Sequence, residues 1–207
     1  MHLKSPLLLT FVVLIACAAF SSFAQTPPAA KGIKTTWSFA IGAGFSGFNP
    51  DYDHGQLYGG TLWIDYFPTR LPARLNGLGV EVAARDLNYG RSALQPPNLR
   101  EDVGEGGVIY SYPHFRIFRP YAKLFMGFGN TDETAWVSGH FTGKRYNDSR
   151  TITSFGGGVD FHAVRHIWLR ADYEYQRWPD FFKHTNPATP AGLLNPQGFT
   201  IGAMYHF

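Results

Sequence analysis

The sequence predicts an all-β fold, an eight-stranded antiparallel up-and-down transmembrane β-barrel, from three observations. Segments of about ten residues alternate between large apolar residues and small or polar ones, a period of two in which successive side chains point to opposite faces. The composition is rich in glycine (23 of 207 residues) and aromatics (16%) and poor in charge (16%), against usual values of about 7% glycine and about a quarter charged. The chain also closes on Phe199-Thr-Ile-Gly-Ala-Met-Tyr-His-Phe207, whose apolar face (Phe199, Ile201, Ala203, Tyr205, Phe207) has no following segment to cover it.

The N-terminus reads as an export signal over residues 1–24. Lys4 is the positive n-region, Leu7 to Ala19 the apolar core, and Ser22-Phe23-Ala24 a small-x-small cleavage site that puts the mature start at Gln25. The apolar run is too short for a transmembrane helix. Leu14-Ile15-Ala16-Cys17 offers a second reading, cleavage before a lipidated Cys17, although the apolar run continues past it. Cleavage after Ala24 leaves a mature chain without cysteine and excludes disulfides. Residues 25–34, with Thr26-Pro-Pro-Ala-Ala30, are expected to form a disordered lead-in, and the barrel is expected over 35–207.

The first strand is expected over Thr35–Phe48, with Trp37, Phe39, Ile41, Ala43 and Phe45 on one face and Ser38, Ala40, Gly42, Gly44 and Ser46 on the other. A polar loop leads to the second, Leu57–Phe67. Its Tyr58, Leu62, Ile64 and Tyr66 oppose Gly59, Thr61, Trp63 and Asp65. The third is Leu78–Tyr89, with Leu78, Val80, Val82 and Ala84 against Gly79, Glu81, Ala83 and Arg85. After a long loop, Gly90–Gly104, the fourth runs Glu105–Phe118, where Pro113 predicts a bulge or a shortened strand because proline cannot donate to the ladder. Arg119-Pro120 is expected to be a tight turn before the fifth strand, Tyr121–Gly129. Asn130–Arg150 is the longest loop, with a strand extension at Thr134–Phe141. The sixth strand is Thr151–Phe161, and a turn at His162–Arg165 leads to the seventh, His166–Trp178. Pro179–Pro196 is a loop with a hydrophobic tip, Leu193-Leu194, and the eighth strand ends the chain.

Connections alternate long and short, as in barrels with short periplasmic turns and long outer loops. The face that carries the small residues also carries isolated charges: Asp65, Glu81, Arg85, Lys123, Arg170, Asp172 and Glu174. Glycine weakens a solvent-facing strand but leaves room inside a narrow barrel. These seven are therefore expected to form a polar network in the lumen, since buried charges persist when paired. Aromatics near strand ends (Trp37, Tyr58, Tyr66, Phe67, Phe161, Tyr175, Trp178, Tyr205, Phe207) suit two interfacial girdles. The alternative is a secreted soluble barrel with its greasy faces inward.

Three segments, Arg119-Pro-Tyr-Ala-Lys-Leu-Phe-Met-Gly-Phe-Gly-Asn130, Gly156 to Trp178 and the terminal Gly198 to Phe207, resemble the OmpA-like family of eight-stranded outer-membrane barrel domains, over roughly Trp37 to Phe207. The resemblance implies a bacterial outer-membrane location, in contact with lipid and lipopolysaccharide. It implies that Phe199, Ile201, Ala203, Tyr205 and Phe207 act as a signal to the barrel-assembly machinery. Because the chain stops at the barrel, no wall-binding domain is expected after it.

Little else in the sequence points to chemistry. Gly156-Gly-Gly158 lacks the lysine and helix of a phosphate loop. The histidines His54, His114, His140, His162, His166, His184 and His206 share no metal-ligand spacing. Scattered basic residues and a net charge of +3 give no footprint for nucleic acid. Ser154, Ser138 and His140 lie near one loop without the acidic partner a barrel hydrolase needs. No catalytic residue and no cofactor are expected. The role expected is structural or surface-interacting, with loops 130–150 and 179–196 carrying any ligand. A small pore and a lipid-modifying enzyme are the other readings.

Overall fold

The computed structural model describes residues 39–51, 55–68, 71–72, 75–89, 99–112, 115–137, 140–181 and 192–207. The export signal, the lead-in and Trp37 lie outside them. Residues 36–207 form one compact unit.

Nine strands follow in order: β1 Phe39–Asn49, β2 Leu57–Tyr66, β3 Leu78–Tyr89, β4 Leu99–Ser111, β5 Phe118–Val137, β6 His140–Val164, β7 Ile167–Phe181, β8 Gly192–Leu194 and β9 Gln197–His206. Each of β1 to β7 pairs antiparallel with the next, β9 pairs with both β7 and β1, and no edge is left in the ring. The result is a closed eight-stranded up-and-down barrel, with the three-residue β8 added to the far end of β7. Closure satisfies the backbone groups that an open sheet leaves at its edges.

The faces are those of an inverted barrel. Outward side chains are large and apolar all the way round: Leu62 on β2 is 63% exposed, Met126 on β5 is 65%, Phe128 on β5 is 71% and Ile201 on β9 is 60%. A water-soluble protein rarely exposes apolar patches beyond a few hundred Å². This belt therefore needs an apolar solvent, and the soluble-barrel alternative fails. Among the described residues no helix is long and apolar enough to cross a membrane.

One end has short turns and the other long connections. At the short-turn end Arg165-His166 joins β6 to β7, and the β9 amide of His206 donates to His166 O at 2.9 Å. The long-connection end is uneven. The β5–β6 ladder runs on to Val137↔His140, whereas β6–β7 stops at Thr153↔Arg177.

Several expected boundaries are corrected. The fourth strand is Leu99–Ser111, not Glu105–Phe118. It starts six residues early because Arg100 and Asp102 face outward beyond the apolar belt and hide the greasy alternation. It is shortened ahead of Pro113, which is outside the described residues. Arg119-Pro120 is no turn: both residues lie inside β5, opposite Asp160 and Val159. The long loop 130–150 is mostly a hairpin made by extensions of β5 and β6. Of the loop 179–196, residues 179–181 finish β7 and 192–194 form β8, while 182–191 are outside the described residues. Trp178 does not join an interfacial girdle, since it points inward and is fully buried.

Candidate functional site

The inner face of the barrel is where this sequence concentrates its chemistry. Alternation puts Asp65 on β2, Glu81 and Arg85 on β3, Lys123 on β5, and Arg170, Asp172 and Glu174 on β7 into one lumen, all of them buried. Eight strands enclose a space that side chains can fill, so residues on opposite walls meet directly.

Two arginines organise the contents. Arg170 donates from Nη1 to Glu81 Oε2 at 2.7 Å, from Nη2 to Asp65 Oδ2 at 2.8 Å and from Nε to Asp160 Oδ1 at 2.8 Å. Its guanidinium also lies 4.7 Å from the Tyr121 ring centroid and 5.0 Å from that of Trp63. Arg85 holds Glu174 with two bonds, Nη1 to Oε1 at 3.0 Å and Nη2 to Oε2 at 3.2 Å, and reaches Glu105 at 3.4 Å and Thr61 Oγ1 at 3.2 Å. The planar fork of arginine suits such multiple donation. Lys123, a compact charge on a long stem, sits between the two: its Nζ is 2.5 Å from Asp172, 2.8 Å from Glu174 and 4.0 Å from Glu81.

Uncharged groups complete the set. Tyr121 donates to Asp172 at 2.8 Å and Ser154 to Glu105 at 2.6 Å. Gln176 donates to Glu174 at 2.8 Å and accepts from the Trp178 indole N–H at 2.8 Å. Ser46 bonds both Thr61 at 2.5 Å and Thr200 at 2.7 Å, tying β1 to its neighbours β2 and β9. The seven expected charges come from β2, β3, β5 and β7; β1 adds Ser46, β4 adds Glu105, β6 adds Asp160 and Ser154, and β9 adds Thr200.

The sequence reading missed Glu105 and Asp160 as members of this network. Asp160 was legible as an inward residue of the sixth strand, but nothing local marks its partner Arg170, which meets it across the β6–β7 ladder. Glu105 was hidden because it stands as the first residue of the expected fourth strand, between Gly104 and Gly106, with no alternating neighbour to assign it a face.

Apolar clusters lie above and below the polar layer. Toward the short-turn end Ala40, Trp63, Ala83, Trp168 and Met204 pack together. Toward the long-connection end there are two clusters: Phe48, Leu57, Leu87 and Leu99, and Val103, Ile152, Trp178 and Leu194. Leu194 comes from β8, so the last connection supplies part of the second of these clusters. Arg85 links layers, its guanidinium 4.3 Å from the Phe48 ring centroid.

The terminal residues expected to act in assembly sit elsewhere. Phe199, Ile201, Ala203, Tyr205 and Phe207 all face outward. The Phe207 amide donates to Phe39 O at 3.0 Å, and its ring centroid lies 5.4 Å from that of Phe39 and 5.1 Å from that of Tyr205. Gly156-Gly-Gly158 lies within β6, where added Cβ atoms would strike backbone of β5 and β7. Among the described residues no group of three His, Cys, Asp or Glu is arranged to hold a metal ion.

A family profile described as the outer membrane protein beta-barrel domain matches residues 12–207. No curated protein sequence matches the chain. Among solved structures, Neisserial surface protein A is similar at 12% identity and a TM-score of 0.58, over 82% of this chain and 97% of that one. Ail, the attachment invasion locus protein of Yersinia pestis, is similar at 19% identity and a TM-score of 0.52, over 82% and 97%. Ail has also been solved with the heparin analogue sucrose octasulfate. A major outer membrane protein from Thermus thermophilus is similar at 13% identity and a TM-score of 0.51, over 81% and 99%.

Proposed function

Since the chain belongs to the outer membrane protein beta-barrel domain family, we propose that it serves as a sealed, rigid outer-membrane scaffold whose outward end is a surface for interaction. Its location is the bacterial outer membrane, where lipid meets the apolar belt. The short turns then face the periplasm and the long connections the exterior.

The observation that carries this reading is the lumen. A buried ion network spans the middle of the barrel, and apolar plugs lie above and below it. Such packing supports a closed barrel and leaves the β5–β6 hairpin and the outer connections to carry function, as connections on rigid scaffolds commonly do. That the like-folded Ail is known with a bound heparin analogue supports treating a barrel of this size as a ligand-presenting surface. A non-catalytic role is supported by the Ser154 hydroxyl, which is bonded to Glu105 inside the plugged lumen. On this reading Phe199, Ile201, Ala203, Tyr205 and Phe207 address the chain to the assembly machinery.

Planar-bilayer recording tests the reading. The expected result is no steady single-channel current from the purified, refolded barrel. Steady openings would overturn the sealed lumen in favour of a small pore. Loss of acyl chains from lipid A on expression would instead favour the lipid-modifying enzyme.

A further inference from the structure

Among the described residues, buried carboxylates are held by cations, with one exception. Arg170 holds Asp65, Glu81 and Asp160, Arg85 holds Glu105 and Glu174, Lys123 holds Asp172 and Arg150 holds Asp148, each at 3.4 Å or less. Glu101 has no such partner among the described residues. It is 1% exposed, and its Oε1 is buried without a hydrogen-bond partner. The buried cations of the lumen, Arg85, Lys123 and Arg170, are already committed to the other carboxylates.

Its place in the fold gives this carboxyl a task. The inward residues at the start of β4 are Leu99, Glu101 and Val103. Leu99 belongs to the cluster with Phe48, Leu57 and Leu87, and Val103 to the cluster with Ile152, Trp178 and Leu194. Glu101 therefore stands between the two apolar clusters of the long-connection end. Its strand neighbours Arg100 and Asp102 point outward, with side chains 50% and 38% exposed, so this level lies in water beyond the apolar belt. Across the ladders Glu101 faces Leu87 of β3 and Thr131 of β5. The charges acting on it are Arg85 on β3, Glu174 on β7, and Glu105 and Asp102 on β4, three negative against one positive. On β6, Asp148 is held by Arg150. A carboxylate in such a place has neither water nor a counter-ion, so the neutral acid is the favoured form. Burial pushes the Glu101 carboxyl up to about 7.

We infer that Glu101 is a proton-operated latch on the outer end of the barrel: as the neutral acid it lets the two outer clusters stay dry, and on releasing its proton to water it draws water between them. The inference rests on the sealed-scaffold reading above and adds a regulator to it. The sealed form holds the proton more tightly than an opened form, whose solvated carboxyl ionises at about pH 4.3. Closure of the outer clusters is therefore strongest in acid. It weakens as pH rises from that value to about 7, where the buried carboxyl ionises too, and changes no further above it. The polar layer and the cluster at the short-turn end stay in place, so loosening the outer end opens no pore.

The test measures amide hydrogen exchange by mass spectrometry on the barrel in lipid nanodiscs, with each rate divided by the intrinsic rate at that pH. Raising the pH from about 5 to about 8 should lower the protection of amides 99–103 at least about tenfold. Amides of β9 should change much less. Glu101→Gln keeps the shape of the side chain and cannot ionise, so its protection at 99–103 should stay level over the same range. Infrared spectra at about pH 6 should show a neutral-carboxyl C=O stretch in the wild type that Glu101→Gln lacks, because a solvated carboxyl is ionised there. Heat-modified gel mobility verifies that the variant is folded, and the wild-type pH series needs no variant. An equal pH-dependent loss in wild type and Glu101→Gln, a wild type whose protection ignores pH, or no infrared difference between the two would overturn the inference. A barrel that fails these tests yet conducts no current would lose this inference alone. One that conducts steadily at both ends of the pH range would lose the sealed-scaffold reading and the latch with it.

Discussion

The Trp178 indole lies directly on Gly129: a Cβ added at Gly129 would come within 2.1 Å of Trp178 Cη2. The same device recurs at the other end, where a Cβ at Gly42 would come within 2.2 Å of Trp63 Cε2, and one at Gly202 within 2.7 Å of Trp63 Cη2. Both indoles, Trp178 and Trp63, are thus seated on inward glycines of other strands. The glycines of the inner face are there to make room.

Gly129→Ala is expected to lift Trp178 out of its seat and cost about 1–3 kcal/mol, the usual penalty of overpacking. Trp178→Ala should cost about 3–5 kcal/mol by leaving a cavity. Urea unfolding in micelles, followed by tryptophan fluorescence, measures both. If Gly129→Ala left stability and the emission spectrum unchanged, the indole would not rest where the geometry puts it.

Arg170 is bonded to Asp65, Glu81 and Asp160. Arg170→Ala leaves buried Asp65 and Asp160 without a cation and Glu81 with only Lys123 at 4.0 Å, and should cost about 3–5 kcal/mol. Combining Arg170→Met with Asp65→Asn, Glu81→Gln and Asp160→Asn removes charge from both sides and should recover much of that loss. A quadruple variant no more stable than Arg170→Ala would mean that the penalty comes from lost packing rather than uncompensated charge.

Lys123 reaches carboxylates of both arginine clusters. A double-mutant cycle between Arg85 and Arg170 should show coupling of about 0.5 kcal/mol or more in the native background. In a Lys123→Met background the coupling should fall toward zero. Coupling that survives the change would mean that it runs through the strands instead.

Leu124 is 59% exposed in the belt. Leu124→Arg should cost about 2–4 kcal/mol if that side faces the bilayer midplane. Ser149→Arg, on the hairpin, should stay within about 0.5 kcal/mol. Unfolding from liposomes compares the two, and equal costs would contradict the placement of the membrane.

Phe207→Asp should lower the amount of barrel assembled in the outer membrane of cells, with refolding into detergent micelles changed much less. Equal loss in both settings would make Phe207 a stability residue, packed on Phe39 and Tyr205, and not an address.

Most of the membrane-embedded architecture was legible because its signal is local. In β2, β7 and β9 a period of two separates lipid-facing residues such as Ile64, Leu169 and Ile201 from inward ones such as Asp65, Arg170 and Thr200. The reading failed where both faces are polar. Asn130 and Asp132 of β5 and Asn147 and Ser149 of β6 lie beyond the lipid, so these stretches carry no greasy stripe and their sequence resembles a loop. Pro120 looked like a turn, yet it stands near the start of β5 opposite Val159.

By itself, the sequence determined the number of barrel strands and which face meets lipid, because each depends on alternation within one segment. Only the tertiary structure decided who partners whom. Arg85 meets Glu174 and Arg170 meets Asp65 across 89 and 105 residues of chain. Those relationships arise from the closure of the ring, which brings opposite walls together across a narrow lumen, and no period within a strand encodes that.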